Sequence, residues 1–547
     1  MHLARAALAL CLSIVAACST SDDASPPPTG LAEPDRAALA RRLLTGPEWY
    51  RHAVVYEAYV RSLQDSNGDG VGDLPGLTSR LPELQALGVD ALWLMPINPT
   101  PFADSGYDVA DYTGVNPDYG TLADLDALLA AAHARGMRVM LDLVLNHTSD
   151  QHPWFQESRA SRDNPKADWY VWSDTPSRAD VGCGTFQAQF GAEAWTLSKA
   201  RNQYYFHRFY PGQPDLNYRN PQVVKATLDA ARFWLDRGVD GFRCDVIGLL
   251  VESADGCDMI PETQAYIRQL RALLDEYPDR AMVAESTNYE TAVPYFGDGH
   301  DMFHMAFNFG FGYFWGFPFA GTEARAVSDK LEASRRGAPP GAQEALVIGS
   351  HDVSRAYVAA QKVPSRWRRA AFVQMTAAGT PFIYYGEELG LRPGKVKVVD
   401  SRDYQRTPMP WTRGPGHGFT TGTPWIPFGE GAEETSLEAE AGDPASDYAF
   451  YQRLLAARRG REAFGAGTMT FLHGDSPAVL AFERAGGGEA YLAVVSMDEA
   501  APQTTRLSAV GGEGEPRLLF GAATAAREGD ALVVTVPAEG MALFRLR

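Results

Sequence analysis

The sequence predicts an α/β protein: a (β/α)8 barrel with a subdomain inserted after the third strand and a β-sandwich at the C-terminal end. Three observations carry that expectation. Short runs rich in Val, Ile and Leu recur eight times from about residue 50, with amphipathic stretches of helical spacing between them. One gap, 148–220, is too long for a βα loop and is rich in Trp, Tyr, Phe, Gly and Pro, so it reads as an insertion. Past about residue 462 the pattern changes to short alternating runs such as "AVLAFERA" and "AYLAVVSM", which suit a sandwich.

The chain opens with "MHLARAALALCLSIVAACSTSDD": a basic start, a short apolar run and small residues at its end. That is the layout of an export signal, and the run is shorter than the ~20 residues a membrane span needs. "VAAC" resembles a bacterial lipobox, so residues 1–18 are read as a lipoprotein-type signal with Cys18 carrying the lipid. The expected location is the cell envelope, in the periplasm or on the surface. Residues 19–46 follow as a flexible tether. The first part of the barrel takes 47–147, with strands at 53–60, 91–96 and 138–145 and a helix at 121–136. Its second part takes 221–461, with helices at 221–238 and 262–278 and strands at 241–247, 281–286, 304–309, 345–351 and 381–388. The sandwich takes 462–547.

A chain 45% hydrophobic and 21% charged is an ordinary globular protein. Its net charge of −19 repels nucleic acid and anionic headgroups, so nucleic acid is excluded as a partner and a neutral substrate is expected. The sequence is silent on oligomeric state, and a monomer is the working expectation. With Cys11 in the signal and Cys18 lipidated, Cys183, Cys244 and Cys257 remain. Cys244 lies inside a strand, which leaves Cys183 with Cys257 as the candidate disulfide.

The fragment "GVDGFRCDVI" places Arg243 and Asp245 two apart in an otherwise apolar strand, on one side of an extended chain. Alone, the pair reads as an internal salt bridge. In a barrel, however, the C-terminal strand ends face one pocket. The third strand brings Asp142, Asn146 and His147 there, the fifth Glu285, and the seventh His351 and Asp352. Separate structural roles for all of them at one rim are improbable. Arg243 is expected to hold Asp245 ionised. An ionised carboxylate beside a protonated one is the equipment of glycoside cleavage through a covalent intermediate. No close His pair or Cys cluster calls for a catalytic metal.

The motifs "GDLPGL" (72–77), "DLVLNH" (142–147), "QPDLN" (213–217), "GFRCD" (241–245), "VAES" (283–286), "SHD" (350–352) and "GTPFIYYGEELG" (379–390) stand in one order. In this the chain resembles the α-amylase superfamily of glycoside hydrolases across about residues 47–547, near its α-glucosidase and oligo-1,6-glucosidase branch. The resemblance implies Asp245 as nucleophile, Glu285 as general acid/base and Asp352 as the third carboxylate, which binds sugar hydroxyls. It implies that His147, Arg243 and His351 contact the sugar at the cleavage subsite. In "GYDVADY" it implies that Tyr107 stacks on that sugar and Asp108 binds its hydroxyls. Two positions depart from the usual pattern: Ser350 stands where Asn is common, and Ala284 where Gly is.

"DSNGDGVGD" sets Asp65, Asn67, Asp69 and Asp73 at alternate positions of a Gly-rich turn. Its spacing is like the start of an EF-hand loop, but Gly76 occupies the twelfth position, where that loop needs Glu. The family resemblance implies instead a structural Ca2+, with the Val71 carbonyl completing the shell. An Asx turn without metal is the competing reading.

The expected substrate is an α-glucan or malto- or isomalto-oligosaccharide, cleaved at α-1,4 or α-1,6 bonds with retention. "QPDLN", "RTPMPW" (406–411) and Val246, which nominally favours α-1,6 bonds, resemble the glucosidase branch. Phe186, Phe190 and Trp195 could stack on sugars, though aromatics at that spacing are more often subdomain core. The same intermediate could instead be passed to a sugar, as in a glucosyltransferase or a trehalose-synthase-like isomerase. A non-catalytic glycan-binding lipoprotein ranks last, because all three carboxylates are present.

Overall fold

The computed structural model of the chain describes residues 35–182, 193–288, 290–312, 323–398, 401–512 and 514–547. Eight parallel strands close a barrel: β1 Val55–Ala58, β2 Ala91–Leu94, β3 Arg138–Val144, β4 Gly241–Asp245, β5 Ala281–Ala284, β6 Met305–Asn308, β7 Gln343–Val347 and β8 Thr380–Tyr384. Neighbours in sequence are neighbours in the sheet, and β8 returns to β1. Each lies within or beside its expected run, but the ladders are shorter. β7 ends at Val347, so His351 and Asp352 sit on the loop beyond it.

Period-two alternation divides the barrel's side chains. Val55, Ala91, Trp93, Met140, Ala281, Val283, Met305, Phe307, Ala345, Val347 and Phe382 fill the interior. The same alternation carries polar groups inward at the strand ends: Glu57 after Val55, Asp142 after Met140 and Glu285 after Val283. Some of the helices around the barrel start on side-chain caps, whereas Pro261–Leu274 and Pro364–Thr376 begin on proline without one. Thr121 and Asp124 form a capping box for Leu122–Ala134, and Asn220 caps Pro221–Asp236.

The inserted segment holds a helix, Pro153–Ala160, and a small antiparallel sheet of Trp172–Ser173, Gln203–Phe206 and Trp195–Ser198. Trp195 is half-buried, its ring 5.3 Å from Phe206 and packed against the small cluster of Val171, Ala194 and Phe206, so part of it serves the subdomain core. Phe186 and Phe190 lie outside the described residues. The motif 213–217 ties the insertion to the barrel, because the Leu216 amide donates to the Asn146 carbonyl at 3.0 Å.

Beyond the barrel, β9 Thr468–Leu472, β10 Val479–Gly486, β11 Glu489–Ser496, β12 Gln503–Leu507, β13 Arg517–Gly521, β14 Thr524–Glu528, β15 Ala531–Val536 and β16 Met541–Arg545 form two sheets. They are ordered β9-β10-β11-β16-β13 and β12-β15-β14, with Leu492, Val494, Leu532, Val534 and Phe544 packed between them. This is the expected sandwich.

The expected tether boundary at residue 46 needs correcting. Arg36–Leu43 is a helix, and the Arg36 guanidinium is bidentate on Glu489 at 2.7 and 2.6 Å, so the folded chain already includes residue 36. The signal 1–18, Cys18 and the start of the tether lie outside the described residues. Cys244 is buried and free, whereas Cys257 is disulfide-bonded; its expected partner Cys183 lies outside the described residues. No helix among the described residues is long and apolar enough to cross a membrane.

Candidate active site

The strand register brings the charges together. β3 and β4 pair Asp142 with Arg243, and β4 and β5 pair Arg243 with Val283, two residues before Glu285. The Arg243 guanidinium is 2% exposed and reaches three carboxylates: Asp142 at 3.0 Å, Asp245 at 2.5 Å and Glu285 at 2.7 Å. Asp245 meets Nη1 and Glu285 meets Nη2, so one rigid fork fixes how far apart the two acids stand. The rings of Trp93 and Tyr107 flank the guanidinium, 5.1 and 5.6 Å from its carbon. The salt-bridge reading of Arg243 with Asp245 is thus true, but it is one third of a larger arrangement.

His351 and Asp352 come in from the β7 loop. His351 Nδ1 lies 2.5 Å from Glu57, its Nε2 lies 2.8 Å from the Tyr107 hydroxyl, and that hydroxyl lies 3.0 Å from Asp142. Asp352 accepts from Arg402 at 2.9 Å and Arg406 at 3.2 Å, with His351 Nε2 at 3.2 Å. Arg402 also pairs with Asp104, joining the loop after β2 to the loop after β7.

Protonation follows from the unequal sharing of cations. Burial pushes the carboxyls of Asp245 and Glu285 each up to about 7, with Arg243 pulling both back, and Asp142 goes up to about 6 for the same reason. Arg243 alone was expected to keep Asp245 ionised; one guanidinium divided among three buried carboxyls does not suffice. Asp245 and Glu285 meet the same guanidinium, and the charge of Asp245 helps to hold the proton on Glu285. Burial would raise Asp352 as well, but His351, Arg402, Arg406 and Arg243 hold it well below the usual carboxylate range.

Of the remaining expected site residues, Tyr107 lies over Arg243 and is stacked on His351, with centroids 5.3 Å apart. His147 is 2% exposed, lies 3.1 Å from the Tyr107 carbonyl, and is kept neutral by burial, which lowers it to about 4. Asp108 is fully buried, and its oxygens accept from the Thr100 hydroxyl at 2.7 Å and the amides of Ala103 and Asp104 at 2.8 and 3.1 Å. It braces the loop that carries Tyr107.

The 65–73 loop lies apart, as a ladder of Asx turns. Asp65 accepts from the amides of Asn67, Gly68 and Gly70; Asn67 from that of Asp69; and Asp69 from that of Val71. Asp73 caps the next helix through Gly76. Among the described residues no group of three or more His, Cys, Asp or Glu side chains is gathered as a metal site.

Glu57, Arg402 and Arg406 were not singled out from sequence. Glu57 carried a usable signal, since it lies two residues from Val55 on the inward face of β1, as Asp245 lies two from Arg243. Arg406 opens the quoted "RTPMPW" run, but nothing in the run shows that it turns back onto Asp352.

One protonated and one ionised acid held on a single guanidinium can between them donate a proton and attack an electrophilic carbon, with an ionised third acid nearby. Family comparison agrees. The α-amylase catalytic domain family matches residues 57–467, and the maltogenic amylase C-terminal domain family matches 469–543. The chain belongs to the α-amylase superfamily. Within that superfamily it is 38% identical to a probable α-glucosidase of Rhizobium meliloti, over 86% of this chain and 92% of that one. It is 39% identical to a trehalose synthase/amylase of Mycolicibacterium smegmatis, over 81% and 82% of the two chains. A crystal structure of an α-glucosyl transfer enzyme superposes with a TM-score of 0.80 at 34% identity, covering 92% of this chain and all of that one. This superfamily member is an enzyme with the machinery of a retaining glycosidase or transglycosylase for α-glucosidic bonds.

Proposed function

We propose that the enzyme moves an α-glucosyl group between sugars, isomerising an α-linked glucose disaccharide in the manner of a trehalose synthase. The observation that carries this is the set of relatives matched over most of both chains: a trehalose synthase/amylase at 39% identity and a trehalose synthase at 36%, with an α-glucosyl transfer enzyme among the similar structures. In the first step Glu285 protonates the glycosidic oxygen as the C1–O bond breaks and Asp245 forms a bond to C1. The charged Asp352 binds sugar hydroxyls, and Tyr107, His147, Arg243 and His351 line the subsite. Glu285, now ionised, takes the proton from an incoming hydroxyl, which attacks C1 and releases Asp245. Two inversions retain the α configuration.

Whether that hydroxyl belongs to a sugar or to water depends on how long the released sugar stays. The Arg402 bridge between Asp104 and Asp352 supports a long stay, because it ties together two loops beside the acids. Hydrolysis is the second reading, favoured by the α-glucosidase relative. An NMR time course on maltose separates them: a new α-linked disaccharide should accumulate ahead of glucose, and glucose alone would overturn the proposal.

We also propose that the 65–73 loop holds a structural Ca2+. Asp65, Asn67, Asp69 and Asp73 supply hard oxygens of the right chemistry, with the Val71 carbonyl. The Asn67 and Asp69 oxygens each accept a single backbone amide and keep a lone pair for a cation, whereas both oxygens of Asp65 already accept two hydrogen bonds that an ion would have to displace. Bound Ca2+ would neutralise the loop's carboxylates and stabilise the fold. Chelation with EDTA should lower the melting temperature by several degrees, reversibly with Ca2+; an unchanged value removes the ion from the account.

A further inference from the structure

Val246, the residue after Asp245, is a β-branched side chain in the left-handed region, at φ 36° and ψ 36°. Its Cβ substituents crowd the backbone there, so the conformation persists only where the surroundings impose it. They do. The Val246 side chain is buried against Leu249 and the disulfide-bonded Cys257, with Phe209 beside them. The left-handed turn ends β4 abruptly and aims the Val246 amide at Glu285, where it donates to Oε2 at 3.0 Å. Arg243 Nη2 meets that same oxygen at 2.7 Å.

We propose that Val246 is a positioning residue for proton delivery: its strained amide and Arg243 together occupy Oε2 of Glu285, so that the transferable proton resides on Oε1. The inference rests on the acid/base role given to Glu285 above. An oxygen accepting two N–H bonds, one from a cation, is the poorer seat for a proton. The remaining oxygen carries it and gives it to the glycosidic oxygen as the C1–O bond breaks and Asp245 bonds to C1. Nucleophile and amide lie in adjacent residues, so the peptide that places the Asp245 carboxylate also orients the acid. The other charged groups facing Glu285 are Arg243, Asp245 and Asp352.

The test removes one donor and leaves the side chain in place: Val246 is replaced by its α-hydroxy acid, giving a backbone ester without the N–H. Glycosylation is read as the first-turnover burst on maltose, whose leaving group needs a proton, and on α-glucosyl fluoride, whose leaving group does not. The ester should slow the maltose burst about tenfold, leave the fluoride burst within twofold, and shift the alkaline limb of the maltose profile upward. Equal loss on both substrates, or no loss on either, overturns the proposal. Glu285→Gln serves as the reference. If it too cleaves maltose normally, the acid/base reading fails; if only the ester variant does, this inference alone fails.

Discussion

Glu285→Gln is expected to lower kcat/KM for a disaccharide by about 10^3–10^4 while leaving KM within a few-fold, because it removes the proton donor but keeps the side chain's shape. The same substitution should change the pH profile. In the wild type Asp245 must be ionised and Glu285 protonated, and both carboxyls are pushed up to about 7 by burial. The active form is therefore the singly protonated pair. Activity should peak near neutrality and fall on both sides, with limbs that belong to the pair. Below the peak both acids are protonated and no nucleophile remains; above it both are ionised and no donor remains. Glu285→Gln should abolish the alkaline limb. A variant that keeps near wild-type turnover, or the wild-type alkaline limb, contradicts the assignment.

Much of this was legible in the sequence because barrel geometry turns strand ends into a list of pocket residues. Asp142, Arg243, Asp245 and Glu285 announced themselves as charges on the inward phase of apolar strands, and the register needed no further information to join them. The parts that sequence did not reveal have a common cause. Arg402 and Arg406 reach Asp352 from a long connection after β8, where no periodicity marks direction. Asp108 was expected to bind sugar hydroxyls; that its oxygens also accept the amides of its own loop was not legible, because loop curvature cannot be read from residue order. The charge state of Asp245 was misjudged because proximity to one arginine was counted without asking how many acids share it. The helix Arg36–Leu43 looked like tether, since its anchor, Glu489, lies in the distant sandwich.

That sharing makes Arg243→Met the substitution with the largest expected cost to the fold. Methionine fills much of the space between Trp93 and Tyr107, so the loss is chiefly electrostatic: Asp142, Asp245 and Glu285 lose the guanidinium that holds all three. Removing one partner from a buried charge network costs about 3–5 kcal/mol. The sign of its pH dependence follows from the raised carboxyls. In the wild type these groups sit at about 6, 7 and 7, above the ~4 of an unfolded chain. The folded state therefore binds more protons than the unfolded one between those limits, and their contribution to stability declines as pH rises from about 4 to about 7. For each of the three, Arg243 is the largest influence opposing the upward shift. Without it the folded-state values rise further, and the decline continues above pH 7. At pH 5 the three carboxyls of the variant are protonated and neutral, so the loss shrinks to the packing and hydrogen bonds of the guanidinium. At pH 8 they must be ionised without a counter-ion or remain protonated against the solvent, and the loss is full. Denaturant unfolding at pH 5 and pH 8 should therefore give a clearly larger destabilisation at the higher pH. An equal loss at both would mean that Arg243 serves the fold by packing, with the three carboxyls indifferent to its charge.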